Sequence, residues 1–208
     1  MTAIAPLTVS AEFDDAIDRE WTRLAHPSSF FTGAERVALP TEARREREGD
    51  PTPTGQVSAP AAEAARMIAT KAMETRKEWL DGLLARGLDL HAYIEIVGLV
   101  SRLEAIDCFD FGVGRPLRPL PDPVAGDPTG EVDSDAAMNG AWVPTVGPPE
   151  APVALSAIPN DHHALHDIHG AFFITGDQIT EFGLTKDLIR PQMEIVAART
   201  SMVNDCFY

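Results

Sequence analysis

The stretch YIEIVGLVSRLEAIDCF, residues 93–109, carries the clearest fold signal in this chain of 208 residues. Its apolar side chains recur every three or four positions, which places them on one face of an α-helix. These inward-facing positions are Tyr93, Ile96, Val97, Val100, Leu103 and Ile106. The pattern predicts a helix from about Leu90 to Phe111.

Other segments carry the same helical spacing, and no part of the chain alternates over the length that a β-strand needs. These segments are residues 11–26, 32–48, 61–86, 160–173 and 186–208. Thr32 is a suitable N-cap for the second of them, and Pro40 predicts a kink or break within it. Gly87 stands where a helix C′ residue is expected. The sequence therefore predicts an all-α protein.

A Pro- and Gly-rich connector, residues 114–152, separates two helical halves, residues 1–113 and 153–208. A loop of this length without regular structure is either functional or packed over the protein surface. The apolar side chains suited to such packing are Leu117, Leu120, Trp142 and Val143. The C-terminal half is expected to be truncated, because its last helix ends without a cap or a turn.

The composition argues against several classes of partner. A formal net charge of −15 disfavours nucleic acid and anionic membranes. No window reaches 18 consecutive apolar residues, and the N-terminus lacks a basic region before an apolar run. The two cysteines, Cys108 and Cys206, are too few for a disulfide framework. We expect a cytoplasmic protein in a reducing compartment.

The end of the chain, QMEIVAARTSMVNDCFY, repeats part of the opening stretch. Both contain Glu-Ile-Val and Asp-Cys-Phe, with thirteen positions from Glu95 to Cys108 and twelve from Glu194 to Cys206. When the two stretches are aligned on Glu95 and Glu194 without a gap, Asp107 aligns with Cys206. The match predicts a duplicated helical unit with weak internal symmetry. The alternative is that two amphipathic helices share a tripeptide by chance.

Glu194 and Cys206 are the candidate catalytic residues. A glutamate can accept a thiol proton, and a reactive cysteine needs a stabilised thiolate. Their separation of twelve residues corresponds to about 18 Å along a continuous helix, so the pair needs the break that SMVND offers. Cys206 would then open a new helix, whose dipole lowers a thiol pKa. The alternative is a small buried thiol and a surface carboxylate.

The run EIVAARTSMVNDCFY resembles the signature helix of the AhpD-like superfamily, which contains carboxymuconolactone decarboxylases and alkylhydroperoxidase-related proteins. TGAERVAL, YIEIVGLVSRLEAID, LPDPVAGDPTG and AWVP resemble the alkylhydroperoxidase-related branch, so the likeness spans about Thr32 to Tyr208. It implies an all-helical bundle and a symmetric homo-oligomer. It also implies reduction of a small hydroperoxide by a cysteine pair, with a thiol or disulfide reductase as electron donor. We expect neither a cofactor nor a metal.

On that resemblance, Glu194 matches the relay glutamate and Cys206 the first cysteine of the pair. The second cysteine would stand at position 209 and a histidine four residues later, and the sequence contains neither. The helix at Glu95 has Asp107 and Cys108 but no Cys-x-x-Cys. We therefore expect either a fragment of a longer protein or a chain that has lost the reaction.

Three functions stay open. The first is a thiol-dependent, peroxidase-like oxidoreductase, inactive as given for want of the second cysteine. The second is a non-catalytic helical scaffold or oligomerisation module of the same fold. The third is a carboxymuconolactone decarboxylase-type acid/base enzyme for a cyclic organic acid. It ranks last because the sequence shows no cluster of His, Arg and Glu to bind a carboxylate.

Two other groups of polar residues carry weaker signals. His162, His166 and His169 share a helix face, and two of them at i and i+4 suit a metal ion. A polar surface helix is the preferred interpretation, and its histidines would titrate near neutrality. Glu95 is either a decayed second relay or, as preferred, a surface charge or a partner of Arg102.

Overall fold

The computed structural model describes residues 8–186 and 188–204. Over these residues the regular secondary structure is helical apart from one antiparallel hairpin of two short strands, β1 (Thr185–Lys186) and β2 (Leu188–Ile189). The α-helices are α1 (Ala11–Ala25), α2 (Gly33–Arg47), α3 (Ala59–Lys71), α4 (Lys77–Ala85), α5 (Leu90–Gly112), α6 (Pro159–Phe172) and α7 (Arg190–Val203). The all-α prediction is confirmed.

Helix α5 forms the centre of the molecule. Its predicted inward face is largely buried, and side chains of α2, α3 and α4 pack against it. The larger members of this core include Leu39, Leu80, Leu83, Tyr93, Ile96, Leu99, Val100 and Leu103. Full burial of an aliphatic or aromatic side chain stabilises the fold by about 1.5–3 kcal/mol. The core therefore holds the first half of α5 in a fixed position.

A second apolar cluster joins the end of α5 to α1 and α6. Its buried members include Ile17, Ile106 and Ile168. The Phe109 ring stacks on Phe13 with centroids 5.1 Å apart and on Phe172 with centroids 4.9 Å apart. The helical segments before and after the connector therefore pack against each other, and the three-part division of the chain stays a prediction.

Helix α2 begins as predicted and continues past its proline. Thr32 caps it, and Thr32 and Glu35 exchange hydrogen bonds in a capping box. Pro40 lacks the N–H that would bond the Arg36 carbonyl, yet the helix runs on to Arg47. Burial of this part of α2 against α3 and α5 outweighs the missing bond, so the predicted break does not occur.

The single helix predicted over residues 61–86 is divided in the structure. Between α3 and α4 the chain forms a 3-10 turn at Ala72–Glu74 and becomes extended at Thr75. The bend turns α4 back against α3, where the Trp79 indole N–H donates to Glu63 Oε1 at 3.1 Å. Two buried leucines of α4 thereby join the core, and this tertiary packing overrides the strong helix propensity of the segment.

The connector, residues 114–152, contains one isolated β-bridge and one 3-10 turn, and is otherwise irregular, as predicted. Its apolar side chains divide into two groups. Leu120 and Val143 pack against the main core, whereas Leu117 and Trp142 are each 43% exposed. The connector is therefore packed over the surface along part of its length.

Backbone hydrogen bonds tie the connector to the loop between α1 and α2, residues 26–32. Thr129 and Gly130 donate their N–H groups to the carbonyl oxygens of Ser28 and Ser29, at 2.9 Å and 2.7 Å. The α1–α2 loop is consequently held from both sides, by α5 beneath it and by the connector above it. This arrangement fixes the wall of the cavity described below.

The last helix begins at Arg190, later than the predicted start near Lys186, because the β1–β2 hairpin occupies the intervening residues. Pro191 lies in its first turn, where the missing N–H has no intrahelical partner to lose. The helix ends at Val203, inside the SMVND segment where a break was predicted. Within the described ranges, no helix combines the length and apolarity needed to cross a bilayer.

Candidate active site

Glu194, one of the two predicted catalytic residues, lies on the exposed surface of α7. Its Oε1 accepts a hydrogen bond from Arg190 Nε at 2.5 Å. An i, i+4 ion pair of this kind contributes about 0.3–0.5 kcal/mol. Cys206 lies outside the described residues, and the Glu194–Cys206 centre stays a prediction.

The other cysteine, Cys108, is exposed near the end of α5. Partial burial raises the pKa of its thiol, and the charges of Glu104 and Asp107 raise it further, against the opposing effect of Arg47. A raised pKa keeps the thiol protonated at neutral pH, and the thiolate is the nucleophilic form. Cys108 therefore lacks the surroundings of a reactive cysteine.

Glu95 is fully buried, so the predicted surface charge is wrong. The predicted pairing with Arg102 is also wrong, because Glu95 pairs with Arg36. Its Oε1 accepts a hydrogen bond from Arg36 Nη1, and its Oε2 accepts one from the Phe30 N–H at 2.8 Å. Burial raises the pKa of Glu95, Arg36 opposes that effect, and the charge of Asp161 adds to it, so the pKa lies above its usual range. The α1–α2 loop and α2 cover this turn of α5, which explains the burial.

Arg102, two turns further along α5, is 1% exposed and holds two carboxylates. Its Nε donates to Glu20 Oε1 at 2.7 Å, and its Nη2 donates to Asp161 Oδ1 at 2.7 Å. Glu20 belongs to α1 and Asp161 to the first turn of α6. One guanidinium group thus joins three helices, and each buried charge has a partner, as burial requires.

Gly98 lies between the two charged positions of α5 and permits this arrangement. A Cβ atom there would lie 3.0 Å from Arg102 Nη1 and 3.1 Å from Asp161 Oδ1, closer than nearly all real Cβ contacts. The missing side chain lets the start of α6 approach α5 closely enough for the Arg102–Asp161 pair to form.

A cavity of about 380 Å³ opens beside these charged residues. The end of α1, the α1–α2 loop, α2, α5 and the start of α6 form its wall. Its polar wall residues include Arg23, Ser28, Arg36, Arg102, Asp161 and His163. Glu95 is not part of the wall, but its carboxylate binds the guanidinium of Arg36, which is.

Three residues of this wall have a buried polar atom without a hydrogen-bond partner in the described part of the chain. The atoms are Ser28 Oγ, Arg36 Nε and Asp161 Oδ2. A buried polar atom that stays unpaired costs about 1–3 kcal/mol, so native proteins keep few of them. The residues line the cavity while these three atoms are themselves buried, so a bound polar molecule would reach them through a shift of the wall side chains.

The predicted histidine face does not form a three-ligand metal site. The rings of His162 and His166 meet edge to face with centroids 4.5 Å apart, and His169 Nδ1 lies 2.7 Å from the Ile174 carbonyl oxygen. Burial and the two neighbouring histidines lower the pKa of His162. Among residues 8–186 and 188–204, no group of three His, Cys, Asp or Glu side chains is arranged to hold a metal ion.

Sequence reasoning did not identify Glu20, Arg36 and Asp161 as parts of one site. A usable signal was present for Glu20, which lies three residues after Ile17 and four before Leu24, on the apolar face of α1. A charged residue on an inward helix face must find a partner inside the protein. The partner itself was not predictable, because it lies on another helix.

No protein-family model, no curated protein and no solved structure matches the chain. What the cavity does is therefore inferred from its own residues. Those residues combine an oriented carboxylate, two free hydrogen-bond donors and a buried glutamate with a raised pKa. Such a combination is suited to proton transfer on a small bound molecule.

Proposed function

We propose that the chain is an acid–base enzyme for a small organic molecule, with the 380 Å³ cavity as its active site and Asp161 as its proton-transfer group. The main support for the proposal is the hydrogen bonding of the Asp161 carboxylate. Arg102 holds Oδ1, whereas Oδ2 has no hydrogen-bond partner. A general base needs one contact that orients it and one oxygen that is free to take a proton.

Glu95 lies outside the cavity, next to the wall residue Arg36, and influences this proton transfer from there. Its raised pKa means that it holds a proton to a higher pH than an ordinary glutamate, and the charge of Asp161 contributes to that shift. Because the charge of Asp161 raises the pKa of Glu95, the two carboxyl groups are linked, and linked carboxyl groups suit acid–base chemistry. Glu95 reaches the cavity only through Arg36, so we assign it as a positioning residue.

This proposal is nearest to the acid/base function that sequence reasoning ranked last. The reason for that ranking was the lack of a cluster of His, Arg and Glu. Such a cluster is present, since His163, Arg36 and Arg102 line the cavity and Glu95 binds Arg36. Its members come from three helices that are far apart in the sequence, which is why no local motif revealed it.

We also propose that the helices form an AhpD-like bundle with two diverged copies of one helical unit. The shared Glu-Ile-Val of α5 and α7 supports this relationship. In thiol members the cysteine pair follows the glutamate by twelve and fifteen positions. After Glu95 those positions hold Asp107 and Asp110, both buried. The first copy thus carries carboxylates at the two positions where thiol chemistry needs sulfur, which argues against thiol chemistry in that copy.

A thiol-dependent peroxidase activity in the second copy is the other candidate. The end of α7 at Val203 favours it, because this end lies within the SMVND segment where the sequence predicts a break between Glu194 and Cys206. We expect Cys206 to react with a thiol-specific alkylating reagent far faster than Cys108, as followed by peptide mass spectrometry. Equal and slow labelling of both cysteines would contradict this candidate. A small hydroperoxide would be the substrate and a thiol or disulfide reductase the donor.

A purely structural scaffold explains the cavity less well. Each unpaired buried atom of the wall costs about 1–3 kcal/mol, and a scaffold gains nothing in return. Replacing such groups by apolar residues of similar size is often neutral or stabilising. Unpaired buried atoms also occur away from the cavity, but the three at Ser28, Arg36 and Asp161 belong to the wall of one cavity, and this clustering supports a site that binds a ligand.

Hydrogen exchange tests the proposed acid–base function. The protein is incubated in D₂O with a panel of small ketones, lactones and lactone acids, and loss of C–H signals or release of CO₂ is followed by NMR. We expect catalysed exchange or decarboxylation of at least one compound. Asp161→Asn is expected to lower the rate by about 10²–10⁴-fold, the usual contribution of a general base.

The matched control is Asp110→Asn, which changes another buried aspartate, on α5 and outside the cavity wall. Within the described residues its carboxylate oxygens accept no hydrogen bond, and Arg118 Nε lies 3.3 Å from Oδ2. The exchange rate of this variant is expected to equal that of the wild type. Asp161→Asn with a wild-type rate and a native circular dichroism spectrum would overturn the proposal, as would a panel without any exchange.

A further inference from the structure

The charges around the cavity balance one another. The ion pairs there involve four arginines and four carboxylates, so their charges cancel when all eight groups are ionised. The arginines are Arg19, Arg23, Arg36 and Arg102, and the carboxylates are Glu20, Glu95, Asp161 and Asp167. A charged ligand would add an uncompensated charge beside this buried network, at a considerable cost in free energy. The balance therefore favours an uncharged ligand.

Two of the three unpaired polar atoms of the cavity wall belong to hydrogen-bond donors. Glu95 occupies Nη1 of Arg36, which leaves the Nε–H of the same guanidinium without an acceptor. The Ser28 hydroxyl likewise has no partner. Two such donors can bind one ligand oxygen, in the manner of the donor pairs that stabilise developing negative charge in enzymes. Asp161 Oδ2 is the acceptor that remains.

The volume of the cavity restricts the ligand to a compact molecule. At about 380 Å³ it lies near the lower end of the 300–1,000 Å³ that is usual for small-molecule sites. The connector, held on Ser28 and Ser29 by Thr129 and Gly130, limits outward displacement of the α1–α2 loop. At roughly 30 Å³ for each heavy atom, such a volume holds a ligand of at most about twelve heavy atoms.

We propose that the substrate is a compact, uncharged carbonyl compound whose carbonyl oxygen accepts hydrogen bonds from Arg36 Nε and Ser28 Oγ. Asp161 then removes a proton from the carbon next to the carbonyl group. This inference rests on the proposed acid–base function and specifies its substrate class. It assigns Ser28 and Arg36 as substrate-binding residues.

The proton-transfer step needs no further reactant. The Asp161 carboxylate takes the proton, and the C–H bond breaks. The electron pair of that bond forms a carbon–carbon double bond, while the carbonyl π pair moves onto the oxygen. Arg36 and Ser28 stabilise the resulting enolate oxygen by hydrogen bonds. Return of the proton from Asp161 to a conjugated carbon completes isomerisation. Replacement of that proton by one from solvent, before its return to the same carbon, completes hydrogen exchange.

A matched pair of ring compounds tests the substrate class. Cyclopentanone and cyclopentanecarboxylate share their ring and differ in charge, and ligand-observed NMR measures the dissociation constant of each near neutral pH. We expect the ketone to bind at least about 5-fold more tightly than the carboxylate. Ser28→Ala is expected to weaken ketone binding by about 5-fold, which corresponds to one hydrogen bond.

Two control variants separate the site from its surroundings. Ser29→Ala removes the neighbouring buried hydroxyl, which lies outside the cavity wall, and is expected to leave ketone binding unchanged. Arg36→Lys is expected to weaken it, whereas Arg44→Lys, on the same helix and paired with buried Asp107, is expected to have no effect.

Each outcome of this experiment decides the inference. Tighter binding of the carboxylate, equal effects of Ser28→Ala and Ser29→Ala, or no saturable binding of either compound at millimolar concentration would overturn it. Ketone binding that depends on Ser28 supports it, whether or not the ketone exchanges its C–H hydrogens. Binding without any exchange across the panel would count against the proposed acid–base function alone.

Discussion

The tripeptide Glu-Ile-Val occurs on α5 and on α7, and its two copies have opposite surroundings. On α5, Glu95 and Ile96 have no solvent exposure. On α7, Glu194 is exposed and Ile195 is 69% exposed. The same residues on the same kind of element therefore differ in their chemistry according to what covers them. The α1–α2 loop and α2 bury Glu95, whereas the structure places no element over Glu194 within its described ranges.

The difference between the two glutamates has consequences for proton affinity and for stability. A buried carboxylate loses the stabilisation of water, so its pKa rises unless nearby cations compensate. Arg36 compensates in part, and the pKa of Glu95 still lies above its usual range. An exposed carboxylate keeps its hydration, and its ion pair contributes little. Paired substitutions on the two helices test whether the two environments differ in this way.

The largest expected difference is between Glu95→Ala and Glu194→Ala. Removing Glu95 leaves the Arg36 guanidinium buried without its carboxylate, and breaking a buried pair in this way costs about 3–5 kcal/mol. Removing Glu194 ends an exposed pair with Arg190 and is expected to cost at most about 0.5 kcal/mol. Urea unfolding at neutral pH measures both free energies. Similar values for the two variants would show that the environments are not as different as the burial indicates.

The next difference concerns the residue that follows each tripeptide, Gly98 on α5 and Ala197 on α7. Gly98→Ala gives α5 the residue of α7, and its Cβ would press on Arg102 and Asp161. Crowding of a packed interior costs about 1–3 kcal/mol. Ala197→Gly is expected to cost only about 0.5–1 kcal/mol, because a glycine on a helix gives up backbone entropy.

Thermal and urea unfolding of the two glycine–alanine variants provide the measurement. A second readout is activity, since a displaced Asp161 should lower the exchange rate of Gly98→Ala but not that of Ala197→Gly. If Gly98→Ala were as stable as the wild type, α6 would have to lie further from α5 than the structure places it.

The smallest effect is a pH dependence at the α1–α6 contact beside the site. Hydrogen bonds from Arg19 and Arg23 outweigh partial burial and lower the pKa of Asp167 to about 2. The unfolded chain has the ordinary, higher pKa, so this stabilisation is present above about pH 4 and is lost as the pH falls towards 2. The loss is at most about 2 kcal/mol, since the side chain is partly exposed.

The measurement for Asp167 is the free energy of unfolding between pH 2 and pH 5 for the wild type and Asp167→Asn. The variant is expected to lack that part of the pH dependence and to be less stable than the wild type at pH 5. Parallel curves for the two proteins would contradict the assigned role of the Arg19–Asp167–Arg23 contact.

The sequence predicted the helices wherever one face was continuously apolar. Helix α5 was predicted to within one residue of its observed end, because its inward residues keep the helical spacing throughout. The division between α3 and α4 was not predicted, since helix-forming residues run through Glu74 and only packing of Trp79 and its neighbours makes the chain bend. The hairpin before α7 was missed because two residues per strand show no alternation.

The candidate site was less predictable than the fold for a physical reason. Its interactions join residues far apart in the chain, such as Arg102 with Glu20 across 82 positions and with Asp161 across 59. A charged residue on an apolar helix face signals that a partner exists and does not identify it. Glu95 was therefore interpreted as a surface charge, although its position between Ile94 and Ile96 was already visible.

The most direct test of the proposed site is a carbon-13 NMR titration of the Glu95 side-chain carboxyl group, in the wild type and in Asp161→Asn. We predict a midpoint above the ordinary value of 4.5 in the wild type and a lower midpoint in the variant, because the variant lacks the Asp161 charge that raises the pKa of Glu95. A midpoint at or below 4.5 that Asp161→Asn does not move would contradict a linked carboxyl pair at the cavity.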